Sequence, residues 1–112
     1  MKLICVFSLF TASLFGSHFH VGQHYPYKSI KAALSLAHIY DTVFVHEGIY
    51  KEGNILINKK IIFLGKNFPI LDGQNKFEVV SINADNVVIK GFKIINSGYA
   101  SLEDPCGIKV YD

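Results

Sequence analysis

Ile55-Leu56-Ile57-Asn58 is restated about 25 residues later as Val80-Ser81-Ile82-Asn83, and the run after each copy matches too. Ile61-Ile62-Phe63-Leu64-Gly65 lies against Val87-Val88-Ile89-Lys90-Gly91 at nearly the same offset, and a third copy opens at Ile108-Lys109-Val110, spaced slightly wider. Self-similarity at such a period marks a solenoid, in which each repeat buries its apolar side only by stacking on the next. The units are strands: Ile, Val and Phe fill alternating positions, with Asn, Gly and Asp between the runs. Two or three short strands per period, with corners between them, make one turn of a parallel β-helix, and successive turns stack at about 4.8 Å. The alternation sends Ile55, Ile57, Ile61, Phe63, Val80, Ile82, Val87 and Ile89 inward, with Phe92 and Ile94 beside them. Asn58 and Asn83, at matching places, suit corners because Asn tolerates left-handed backbone. The competing fold, a β-sandwich, needs hairpin turns, and only Asp72-Gly73 reads clearly as one.

Upstream the period changes. Ile30, Ala33, Leu34 and Ala37 fall at helical spacing, which predicts a helix over about 28–38. Ser29 is its expected N-cap, and Ala32 rules out a capping box. A helix just before the first turn of a solenoid covers the open top of the core. Rungs are expected from residue 41 on: Asp41-Thr42-Val43-Phe44-Val45 begins the first strand, with Val43 and Val45 inward. His46-Glu47-Gly48 then turns a corner, Ile49-Tyr50 pairs, and Lys51-Glu52-Gly53-Asn54 turns again. Residues 67–75 read as a short strand framed by turn residues, and 96–105 as the longest loop. Pro26 biases Tyr25 to extended backbone, so residues 18–27 form a lead-in strand or loop.

With 112 residues, half of them hydrophobic, the chain makes one small domain with a packed core. Its net charge is +2, and all 11 basic residues are scattered Lys. Nucleic-acid binding, which draws on clustered Lys and Arg, is not expected. Met1-Lys2, the uncharged and mostly apolar run from Leu3 to Phe15, and the small Gly16 and Ser17 are built like a secretory signal peptide, residues 1–17. Thr11/Ser13 and Leu14/Gly16 are the two candidate residue pairs before the cut, so the leader is expected to end between Ser13 and Ser17. The run is too short to span a bilayer, so no transmembrane segment is expected in the mature chain. With Cys5 removed, Cys106 is the one cysteine left, and an internal disulfide is impossible. It reads as a small, half-buried apolar residue.

Tyr27-Lys28-Ser29-Ile30-Lys31-Ala32-Ala33-Leu34, then Asp41-Thr42-Val43 and Gly48-Ile49-Tyr50-Lys51-Glu52, resembles the opening of right-handed β-helix proteins with carbohydrate-binding and sugar-hydrolase (CASH) repeats, a pectin-lyase-like fold. Pro69-Ile70-Leu71-Asp72-Gly73, the run Ala84 to Phe92, and Asn96-Ser97-Gly98 through Ser101-Leu102-Glu103-Asp104 to Gly107-Ile108 resemble more narrowly the NosD family of nitrous-oxide-reductase maturation proteins. The resemblance covers about residues 21–112; its first set of motifs is generic to the fold, and the 98–107 loop is the more specific. It implies an all-β, right-handed parallel β-helix of about three turns with an amino-terminal capping helix. It also implies a periplasmic, non-catalytic accessory protein that assists assembly of the copper-sulfide centre of nitrous oxide reductase. Its expected partners are membrane ABC transporter components and nitrous oxide reductase itself. Family members carry several times more coils, so the chain is expected to be an amino-terminal fragment.

The residues themselves frame the chemistry. Sugar cleavage on this fold calls for paired carboxylates or a base with cations on one exposed sheet, and lyases of this fold commonly use Arg. Arg is absent, and Asp72, Asp85, Glu103 and Asp104 fall at corners and loops as turn formers. A carbohydrate-binding or polysaccharide-cleaving β-helix is the alternative function. His18, His20 and His24 put three imidazoles close together in the chain, and copper is the metal that they would hold. Such binding weakens below about pH 6 as imidazoles protonate. His38 and His46 are expected at a helix end and a strand corner, in structural roles.

Overall fold

The computed structural model describes residues 16–76, 78–98 and 107–111. Along the chain run β1 (His18–Val21), α1 (Ile30–Leu36), β2 (Thr42–Val45), β3 (Ile49–Tyr50), β4 (Ile55–Ile57), β5 (Ile62–Gly65), β6 (Ile70–Lys76), β7 (Val80–Ile82), β8 (Val88–Lys90), β9 (Lys93–Ser97) and β10 (Ile108–Val110). The strands form three parallel sheets, ordered β1-β2-β5-β8, β3-β6-β9 and β4-β7-β10. Each circuit of the chain adds one strand to each sheet, which is the right-handed parallel β-helix expected from the repeat. The first sheet has four rungs rather than three, because His18–Val21 is a strand and pairs with β2.

Register explains the repeat. In the first sheet Phe19, Val43, Phe63 and Ile89 stack in one column, and in the third Ile57 stacks on Ile82. Val43, Val45, Ile55, Ile57, Ile61, Phe63, Val80 and Ile82 are all buried, as the alternation requires. Val87, Ile89, Phe92 and Ile94 pack against this core from the last described turn and are partly buried. The rings of Phe63 and Phe92 stack with centroids 4.4 Å apart.

The matched glycines, Gly65 and Gly91, lie at the same corner of successive turns. A Cβ on Gly91 would lie 2.5 Å from the Gly65 carbonyl oxygen, and Gly91 has φ +87°. No other residue fits that close approach at a left-handed backbone angle. Two corner assignments need correction. Asn58 and Asn83 follow β4 and β7 at corners, but the left-handed asparagines are Asn67, Asn75, Asn86 and Asn96. Asp72-Gly73 is no hairpin turn: both residues lie inside β6, paired in parallel with β9, and the irregularity follows at Gln74 and Asn75. The Asp72 carboxylate accepts from Gln74 N at 2.9 Å and Asn96 Nδ2 at 3.0 Å, so it ties that corner across two turns.

Helix α1 is short and is held from outside. Ser29 caps it by accepting from Ala32 N at 2.9 Å. The acid that a capping box would take from within the helix arrives from the corner before β4. Glu52 accepts from Ile30 N at 2.7 Å and from Lys31 N at 3.0 Å. Lys59, on the other side of β4, donates to the Leu34 and Ala37 carbonyls at the opposite end. Both charges complement the helix dipole and satisfy groups that a seven-residue helix leaves open. Ile30, Ala33 and Ala37 are buried under the helix, over the first turn. Residues 1–15, where most of a leader is expected, and Cys106 lie outside the described residues.

Three variants check this fold. Phe63→Ala should lower the unfolding free energy by about 3–5 kcal/mol in urea, and Ile82→Asp should prevent cooperative folding altogether. Glu52→Ala should cost about 1 kcal/mol and speed hydrogen exchange at the Ile30 and Lys31 amides, while leaving strand amides such as Phe63 protected.

Candidate functional site

The outer face of the first sheet gathers most of the chain's imidazoles. Strand alternation that points Phe19 and Val21 inward turns His18 and His20 outward. In the neighbouring strand Phe44 faces out beside His20, and His46 follows at the corner. His46 N donates to the Val21 carbonyl at 2.8 Å, which fixes where this corner leaves the sheet. The Tyr50 hydroxyl donates to the His46 carbonyl at 2.7 Å and locks it from the next strand. Burial, with the Glu52 carboxylate nearby, pushes that hydroxyl above its ordinary pKa and keeps it a donor.

The loop after β1 folds back over these rings. Gly22 N donates to the Tyr27 carbonyl at 2.8 Å, and Tyr27 N to the His20 carbonyl at 3.2 Å. Lys28 Nζ donates to the Gln23 and Tyr25 carbonyls at 2.7 and 3.0 Å. A Cβ on Gly22 would lie 2.9 Å from the Tyr25 ring, so glycine there lets that ring come down onto the sheet. Tyr25 then stacks on His46 with centroids 3.7 Å apart and planes 7° from parallel. His20 lies near parallel to His46 and Phe44, at 5.1 and 4.9 Å. Lys66 Nζ sits 5.3 Å from the Phe44 centroid.

Within this stack His20 Nδ1 and His46 Nε2 are 2.9 Å apart, a hydrogen bond with one proton between two nitrogens. Two neutral imidazoles of complementary tautomer make it; two imidazolium ions cannot. Burial first, then the charges of His20 and Lys66, hold His46 below its ordinary pKa of 6.5. The pair therefore sets two imidazole nitrogens face to face, half-buried and braced on a rigid sheet, with His46 held toward its neutral form.

Of the three imidazoles expected to act together, the structure gives His20 a different partner. His18 shares the face but meets Phe44 edge-on at 5.4 Å. His24 lies exposed in the loop. Among the described residues no three His, Cys, Asp or Glu side chains converge to hold a metal ion. His46 was legible only as a corner residue. The available signal was its spacing: His46 follows His20 by 26 residues, the offset that also relates Ile61 to Val87.

A second concavity lies between α1 and the outer face of β4. Lys31, Leu34, Ser35, Asn54, Leu56, Asn58 and Lys59 line a groove of about 370 Å³. Leu56 forms its exposed apolar floor. Asn54 is engaged with Ser81 Oγ and the Glu78 carbonyl, and Lys59 with the helix end.

No protein-family model matches the chain, and neither curated proteins nor solved structures give a match. Among the described residues no helix is long and apolar enough to cross a membrane.

The lowered pKa of His46 makes stability depend on pH. The unfolded chain binds its proton more readily, so stability is complete above 6.5 and falls as pH drops through the lowered folded value. Chemical denaturation of His46→Gln between pH 7 and pH values just below 6.5 is expected to show a shallower loss than the wild type.

Proposed function

We propose that this protein works in the periplasm as a non-catalytic β-helical accessory protein of the NosD kind, assisting assembly of the copper-sulfide centre of nitrous oxide reductase. Its partners on this reading are membrane ABC transporter components and nitrous oxide reductase. The observation that supports it is the His20–His46 pair, two imidazole nitrogens 2.9 Å apart on the outside of a rigid sheet. Imidazole suits copper, and when the ring that donates the shared proton carries it on its other nitrogen instead, both facing nitrogens offer lone pairs to a metal ion. The family-like segments coincide with structural parts: Ser29 to Leu34 lie in the capped helix, Asp41 in the corner before β2, and Glu52 in the clamp on α1. Copper held at this surface would take His20 and His46, with His18 and His24 apart from the pair.

A sugar-binding role is the second reading, and the groove beside β4 favours it. An apolar floor at Leu56 with Asn58, Ser35 and Lys31 around it offers both stacking surface and polar donors.

Copper titration separates the two. Alanine at both His20 and His46 should weaken copper binding about tenfold or more, whereas alanine at His24 should leave it unchanged, and the wild-type protein should co-purify with copper-free nitrous oxide reductase. Undiminished copper uptake by the double variant would remove the pair from the reading. Release of unsaturated products from a polysaccharide would decide for the sugar reading.

A further inference from the structure

Asp41 is an acid in the wrong place for an acid. It is 4 % exposed, among the few buried polar residues of the described chain, and it sits at the corner between α1 and β2. Its Oδ2 accepts from His38 N at 2.7 Å and its Oδ1 from Ser17 N at 2.6 Å. Among the described residues no Lys or imidazole side chain donates to it. A buried carboxylate is costly unless a positive charge meets it. One nitrogen already in contact can become a cation: that of Ser17, once the peptide bond before it is cut.

The surroundings of that bond fit a cut. Ser17 is anchored on its other side as well, since its carbonyl accepts from Thr42 N at 2.9 Å, and β1 starts at the next residue. Pairing along the described β-helix therefore starts at Ser17. Gly16 takes left-handed backbone, φ +67°, and a Cβ there would lie 2.5 Å from the Tyr40 carbonyl oxygen. A small residue at this position is also what a leader-removing peptidase needs immediately before its cut. Leu14 and Gly16 form one of the two candidate pairs, and the Asp41 contact distinguishes it from the pair Thr11 and Ser13.

We infer that the Gly16–Ser17 bond is the processing site of the leader, and that the Ser17 ammonium released there pairs with the buried Asp41 carboxylate. Hydrolysis adds one water across the amide: Gly16 leaves as a carboxylate on the leader, and Ser17 keeps the proton as an ammonium. The product stabilises its own fold, because a charge–charge pair replaces an amide-to-carboxylate bond at a carboxylate that is itself buried. Export therefore yields a more stable protein than the uncut chain. The inference rests on the periplasmic reading.

The full chain expressed in an export-competent bacterium tests it. Periplasmic protein is expected to begin at Ser17 by amino-terminal sequencing and intact mass. Met1 intact in every fraction would sink the export reading itself. Exported protein with any other amino terminus would overturn this inference alone. The processed protein is also expected to melt several degrees higher than the same protein with its Ser17 amine acetylated, and Asp41→Asn should abolish that difference. Equal melting of free and acetylated forms would overturn the pairing. If Asp41→Asn yields no folded protein, the wild type alone decides. Its Ser17 amine should react with an acylating reagent many-fold more slowly when folded than in urea, and equal rates would count as failure.

Discussion

The structure depends on one constraint: like residues must land on like residues from one turn to the next. Val43, Phe63 and Ile89 touch only because parallel pairing places them in register across three strands. A rung alone buries almost nothing, since its strands have two to seven residues and no partner across a layer. Stacking supplies both the core and the backbone hydrogen bonds at once. That coupling makes the period visible in the sequence, because an insertion in one corner must leave the columns of the next turn intact. The corners absorb the variation instead: among paired strands the chain between Thr42 and Ile62 is short, and that between Val80 and Ile108 is long.

A stack of this kind needs its first rung closed. Helix α1 does so with only Ile30 and Ala33 buried, besides Ala37 at its C-cap, and seven residues are too few for a helix to hold itself. The missing stability comes from Glu52 and Lys59, one at each end of the helix and one on each side of β4. The helix and the first turn therefore form as a unit. Asp41 adds a second tie at the same end, joining His38, just past the helix cap, to the residue before β1.

The outward face carries the candidate site because the inward face is occupied by packing. Alternation alone puts His18 and His20 outside, and the parallel register brings β2 alongside. The loop bearing Tyr25 then covers the imidazole pair from above, and this cover removes water and lowers the proton affinity of His46. Ring stacking and a shared proton fix the orientation of nitrogens that would otherwise rotate freely at a surface.

The sequence by itself determined the period, the strand class, the inward columns and the cap helix, because these follow from local alternation and its repetition. Ile55, Ile57, Phe63 and Val80 were identifiable as core from spacing alone, and Ser29 as a cap from its place before a helical pattern. The extra rung at His18–Val21 was visible only as a lead-in strand or loop, since one four-residue strand carries no repeat of its own. Only the tertiary structure decided which side chains meet across turns. Glu52 reaches back to the start of a helix that precedes it by a whole turn, and Ser17 meets an acid that follows it by as much. His20 bonds to His46, not to its sequence neighbours His18 and His24. Asp72-Gly73, a turn by composition, is strand because pairing with β9 outweighs the local preference. In a solenoid the nearest neighbour in space is one turn away in sequence, so proximity along the chain marks the elements and register marks the site.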